Sequence, residues 1–177
     1  MRALVVAAAL AVAACQTTGS PLASVETART EGPSATPFDP APSDAEYRAR
    51  VDAAIAALGP DAKALIVFGA NWCHDSKALA GWLADPRMRD ILAAGLEPVY
   101  VDVGRPQTGK GRNLDLAQHF GIEALASTPA LVVVDARGQR LNTVQDAVAW
   151  RNAASRSEDE VRAALAGYAR LPATVAL

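Results

Sequence analysis

Ala64-Leu65-Ile66-Val67-Phe68 is an unbroken apolar run, and four positions beyond its end stands Trp72-Cys73-His74-Asp75-Ser76, followed at once by a stretch patterned as helix. A short apolar run ahead of turn residues reads as a buried strand. The chain is thereby committed to a strand-turn-helix unit with a cysteine at the junction. At such a junction, backbone N–H groups and the helix dipole stabilise negative charge. That setting lowers a thiol's pKa and favours the nucleophilic thiolate. The usual redox form of the site carries a second cysteine three residues on, and here that position is Ser76.

The remaining elements follow from pattern. Ser43 and Glu46 form a capping box. Tyr47, Val51, Ala54, Ile55 and Leu58 recur at helical spacing until Gly59-Pro60 ends the helix. The helix from about His74 turns Leu79 and Leu83 inward. It is broken or kinked at Pro86, after which Met88, Ile91 and Leu92 continue the apolar face. Pro98 to Val103 reads as a second strand, with Pro98 restricted to its start or to an edge. Residues 104–112 form a polar loop, and Leu114, Ala117 and Phe120 suggest a short helix ending at Gly121. Ala130 to Asp135 reads as a third strand, turned through Ala136-Arg137-Gly138 into a fourth around Gln139 to Thr143. A second capping box, Ser157 with Glu160, opens a closing amphipathic helix carrying Val161, Ala164, Leu165 and Tyr168. Alternating strands and helices with a terminal hairpin predict an α/β domain on a mixed sheet of four to five strands, flanked by helices.

The amino-terminal part reads differently. Met1-Arg2 precedes a wholly apolar stretch from Ala3 to Ala14, shorter than the roughly 20 residues of a spanning helix. It reads as a secretory signal. Its end, Val12-Ala13-Ala14-Cys15, resembles the lipobox of bacterial lipoproteins, in which the cysteine is acylated. Ordinary cleavage after Ala11-Val12-Ala13 is the alternative. The resemblance implies a signal peptide over 1–14, a lipid on Cys15, and attachment to the cell envelope facing the periplasm. Gln16, where Asp would favour inner-membrane retention, points to the outer membrane. Residues 15–42 hold Pro21, Pro33, Pro37, Pro40 and Pro42 among Ser, Thr, Ala and Gly, and read as a disordered linker with a reach of about 30 Å. The folded domain is then 43–177. The chain has two cysteines, so lipidation of Cys15 would leave Cys73 as its single thiol, exported to an oxidising compartment. An unmodified Cys15 could instead pair with Cys73.

The strand, Trp72-Cys73-x-x-Ser76, the kinked helix, and Thr128-Pro129 leading into a strand hairpin together resemble the thioredoxin-like superfamily over roughly Ala64 to Tyr168. The resemblance implies that Pro129 is cis and lies against Cys73, and that Thr128 offers its backbone to an extended substrate. It also implies a client that is a protein thiol or disulfide, or glutathione. Two departures stand out. Ser76 replaces the resolving cysteine, and Val67 stands where thioredoxins often bury an acid that assists it. A hydroxyl does not displace sulfur at neutral pH, so a mixed disulfide on Cys73 must be released by an external thiol or by the client. Ser76 could still donate a hydrogen bond to the thiolate, since residues three apart share a helix face.

His74 reads either as an imidazolium supporting the thiolate or as a solvated residue. Asp75 reads as a surface group matched to the helix dipole, and Trp72 as part lid and part packing. Gly104 to Lys110 matches G-x-x-x-x-G-K, but Gly111 follows where a phosphate loop needs Ser or Thr for Mg²⁺. Its Arg105, Lys110 and Arg112 read as a solvated basic rim. With a net charge of −2, nothing points to nucleic acid. Neither a metal nor an organic cofactor is expected. Two readings remain. One is a lipid-anchored monothiol oxidoreductase or isomerase with Cys73 as nucleophile, Ser76 beside it, and Trp72, His74, Thr128 and Pro129 around the substrate. The other is a binding module that docks a client near Pro129 without chemistry.

Overall fold

The protein is described from a computed structural model, and the residues described are 32–172. The signal segment, Cys15 and the linker up to residue 31 lie outside the described residues. The central strand β1 (Lys63–Gly69) is buried along its whole length, which is why it reads as continuous apolar sequence. It pairs in parallel with β2 (Leu96–Asp102) and antiparallel with β5 (Ala130–Val134), in the order β2-β1-β5. The edge position of β2 accommodates Pro98, opposite Leu65.

Side chains alternate across a strand, so β1 and β5 supply two cores. Leu65, Val67, Leu131 and Val133 face one side, where they meet α2 (His74–Ala84) and α6 (Glu158–Ala169) through Leu79, Leu83, Val161 and Leu165. Ala64, Ile66, Phe68, Val132 and Val134 face the other, against Tyr47 and Val51 of α1 (Asp44–Ala56) and Leu116 of α4 (Leu114–His119). Pro86 ends α2, and after a 3-10 turn over Pro86–Met88 the apolar face resumes in α3 (Arg89–Leu92). The polar loop contains a two-stranded hairpin, β3 (Gly104–Arg105) with β4 (Lys110–Gly111), so the glycine-lysine pattern does not open a helix.

The α/β fold class is observed, with a sheet smaller than expected: among the described residues, three central strands and the separate hairpin. The expected fourth strand shrinks to a single bridge, Val134 with Arg140. The Asn142 side chain takes over the pairing, its amide donating to Leu131 O at 2.9 Å and its Oδ1 accepting from Val133 N–H at 3.0 Å. The sequence reading also missed α5 (Val144–Val148) and the 3-10 segment Ala149–Ser155. Their signal was Thr143, whose side chain caps the helix by accepting from Asp146 N–H. This segment brings Trp150 into the first core, where its Nε1 donates to Tyr168 Oη at 2.9 Å and Tyr168 donates onward to Asp146.

The linker boundary moves as well. Between Pro33 and Pro42 the chain lies against the fold at several points, with Phe38 and Pro42 buried. Phe38 is 1% exposed and meets Tyr100 edge-on at 5.6 Å. The Asn71 side chain accepts from Phe38 N–H at 3.1 Å and donates to Phe38 O at 2.7 Å. Ala35 N–H donates to Lys77 O at 3.0 Å. Close approach depends on Gly81, where a Cβ would stand 2.3 Å from the Pro33 carbonyl carbon. The folded domain therefore starts ahead of Ser43. One aromatic anchor in a Pro-rich stretch carries no periodicity, so pattern reading passes over it.

Candidate functional site

Topology brings the site together. Because β1 and β5 run antiparallel with Phe68 opposite Ala130, the residues just after β1 lie beside those just before β5. β1 ends at Gly69, where a Cβ would press within 2.6 Å of the Phe38 ring and 2.9 Å of Ser76 Oγ. A tight turn follows, closed by Cys73 N–H donating to Ala70 O at 3.0 Å. Cys73 then serves as the N-cap residue of α2, with extended backbone angles (φ −86°, ψ 124°) and no side-chain capping bond. Its thiol instead donates to the carbonyl of Thr128, with Sγ 3.3 Å from the oxygen. The Thr128–Pro129 peptide is cis, and both residues are buried.

Cys73 is 9% exposed and lines an open cavity of about 440 Å³, together with Trp72, Asp75, Arg105, Thr128 and Arg151 among others. Trp72 is 44% exposed. It is held in place: its Nε1 donates to Gly104 O at 2.7 Å, and the Arg105 guanidinium lies 5.0 Å from its ring centroid. Trp72 thus joins the cysteine turn to the β3–β4 hairpin and forms an exposed part of the cavity lining.

Three expectations change. Ser76 is fully buried and its Oγ has no hydrogen-bond partner, so it does not bond the Cys73 thiol. The first turn of α2 directs it inward, beneath Gly69 and Phe38. Asp75 is half-buried and not merely a surface charge, since its Oδ1 accepts from Ala154 N–H at 3.0 Å and ties α2 to the 3-10 segment. The basic rim divides. Arg112 is engaged with Asp44 at 3.5 Å and Asp102 at 3.6 Å, and it donates to the carbonyls of Pro40 and Pro42. Burial pushes the Asp102 carboxyl above its ordinary range, partly offset by Gly104 N–H and by Arg112. Arg105 remains at the cavity, and Lys110 is exposed.

Cys73, Trp72, Thr128 and Pro129 thus lie together, while His74 is exposed and Ser76 sits below them. Arg151 was not foreseen, because it lies on the 3-10 segment that the pattern did not reveal. Among the described residues no group of three or more His, Cys, Asp or Glu side chains gathers to hold a metal ion.

No family model matches the chain, and no curated protein matches it. Among solved structures it is similar to the disulphide isomerase from Xylella fastidiosa Temecula1, with a TM-score of 0.62 and 28% identity over 75% of this chain and 96% of that one. The fold of this chain is accordingly thioredoxin-like.

Proposed function

We propose that this protein is a monothiol thiol–disulfide oxidoreductase or isomerase, exported and anchored to the cell envelope through a lipid on Cys15. Its clients are protein mixed disulfides or mixed disulfides with glutathione. The observation that carries the reading is the seat of Cys73. It lies at the start of α2, 3.3 Å from the Thr128 carbonyl, on an open cavity, and a disulphide isomerase shares the fold.

The chemistry balances without a second cysteine. The Cys73 sulfur gives up its proton and attacks one sulfur of the client disulfide. A new S–S bond forms, and the other sulfur leaves as a thiolate that takes up a proton. Ser76 cannot expel the product, since its hydroxyl is no nucleophile toward sulfur and its Oγ is buried without a hydrogen bond to the thiol. A thiol of the client, or an external low-molecular-weight thiol acting as reductant, completes the exchange. Mixed disulfides on Cys73 are consequently long-lived.

The test is recovery of the tagged full-length protein from envelope extracts under non-reducing conditions, with Cys73→Ala alongside. Partners released only by reductant should come with the wild type and vanish from the variant. The same partners in the same yield from both forms would end the enzymatic reading in favour of docking near Pro129. Anchoring is tested separately by the mass of the Cys15-containing peptide. An unacylated peptide beginning elsewhere sinks that part alone.

A further inference from the structure

We infer that the Cys73 cavity selects a small disulfide partner bearing carboxylates, of the glutathione class, through Arg105 and Arg151. This rests on the thiol-exchange reading above and names its substrate class.

The cavity, at about 440 Å³, lies within the usual size range of small-molecule sites. Arg105 and Arg151 both line it, from the β3–β4 hairpin and the 3-10 segment respectively. Four described arginines, Arg48, Arg87, Arg112 and Arg162, are paired with acids; Arg105 and Arg151 belong to the larger group that is not, and they are the members of that group lining this cavity. The acid in the lining, Asp75, already accepts from Ala154 N–H through one oxygen. The lining therefore offers two cations against one engaged carboxylate. Arg105 is also pre-placed over Trp72, whose indole is itself fixed to Gly104 O, so little freedom is lost when it meets an anion. Thr128, whose carbonyl accepts from the Cys73 thiol, lines the same cavity and ties the reacting sulfur to the surface that carries both arginines. A guanidinium recognises a carboxylate through paired N–H donors, so a partner with carboxylates close to its disulfide fits two arginines around one sulfur.

The exchange itself is balanced as before. The Cys73 sulfur bonds one glutathione sulfur, and the other departs as thiolate and takes up the proton that Cys73 released.

The experiment uses the full-length chain and three small disulfides: glutathione disulfide (anionic), 2-hydroxyethyl disulfide (neutral) and cystamine (cationic). The adduct on the Cys73 peptide is followed by mass spectrometry. Adduct formation should be fastest with the anionic probe, with an anionic-to-cationic rate ratio of about tenfold or more at low salt. That ratio should shrink as ionic strength rises. In Arg105→Gln/Arg151→Gln it should fall to about one, whereas Arg105→Lys, which keeps the charge but loses the paired donors and the stacking on Trp72, should give an intermediate ratio. Because each variant is compared with itself across probes, a general change in thiol reactivity cancels from the ratio. A ratio unchanged in the double variant, or equal rates in the wild type, overturns the inference and leaves thiol exchange standing. Faster reaction with a longer acidic peptide disulfide than with glutathione disulfide also overturns it, and assigns the cavity to protein clients. Failure of all three probes to react refutes the underlying reading itself.

Discussion

Two helices of this domain begin with the same capping sequence, and a third begins without one. α1 and α6 each start with a complete capping box. Ser43 and Ser157 accept from the N–H of Glu46 and Glu160 at 3.3 Å, and each glutamate reaches back to the serine N–H at 2.7 Å. α2 starts at Cys73, whose side chain caps nothing. The first two helices secure their own termini. The third is held by its surroundings, through Asp75 with Ala154 and through Lys77 with Ala35. A cysteine at that position gives up a cap that serine would supply, and in return it places sulfur beside the Thr128 carbonyl.

Removing the borrowed support tests the contrast most severely. Phe38→Ala should destabilise the domain by about 3–5 kcal/mol in urea unfolding, because it empties the fully buried site between Gly69 and Tyr100. A loss below about 1 kcal/mol would mean that residues 33–42 rest on the fold without holding it. At the junction itself, Cys73→Ser and Cys73→Ala should both lose mixed-disulfide formation completely. Cys73→Ser should nevertheless be the more stable of the two by about 1 kcal/mol, since its hydroxyl can accept from the first turn. Equal midpoints would show that α2 has no need of a cap. At the other two termini, Ser43→Ala and Ser157→Ala should each cost about 1 kcal/mol and leave thiol exchange untouched.

The smallest effect is electrostatic. The bond from the Ser43 N–H, followed by that from its hydroxyl, holds the Glu46 carboxyl below the ordinary 4.5, and the same pair at Ser157 does so for Glu160. A folded-state pKa below the unfolded one adds stability that is present above the ordinary value and is lost as pH falls through the depressed one. Glu46→Gln and Glu160→Gln should therefore flatten the acid side of the stability profile below about pH 4.5. An acid limb as steep as that of the wild type would place its origin elsewhere.

What the sequence reveals divides along the same line. Both capping boxes, the buried central strand and the cysteine junction were legible because each is local: a fixed spacing or a short apolar run suffices. Thr128 and Pro129 were placed by resemblance, and strand pairing explains why they meet the cysteine. The misses are contacts between distant positions. Asn142 replaces a strand with its side chain, Phe38 anchors a Pro-rich stretch, and Arg151 arrives on a 3-10 segment whose cue was the single cap Thr143. Ser76 illustrates a further limit. Spacing puts it on the same helical face as Cys73, but only packing decides that its hydroxyl is buried against Gly69 without bonding the thiol.

The grip of Asn71 on Phe38 has a mechanical corollary. Both backbone groups of Phe38 are clasped by the residue directly ahead of Trp72-Cys73. Tension applied to the chain on the amino-terminal side of residue 38 would load that clasp, and with it the nucleophile's turn, before it strained the hydrogen bonds of the sheet.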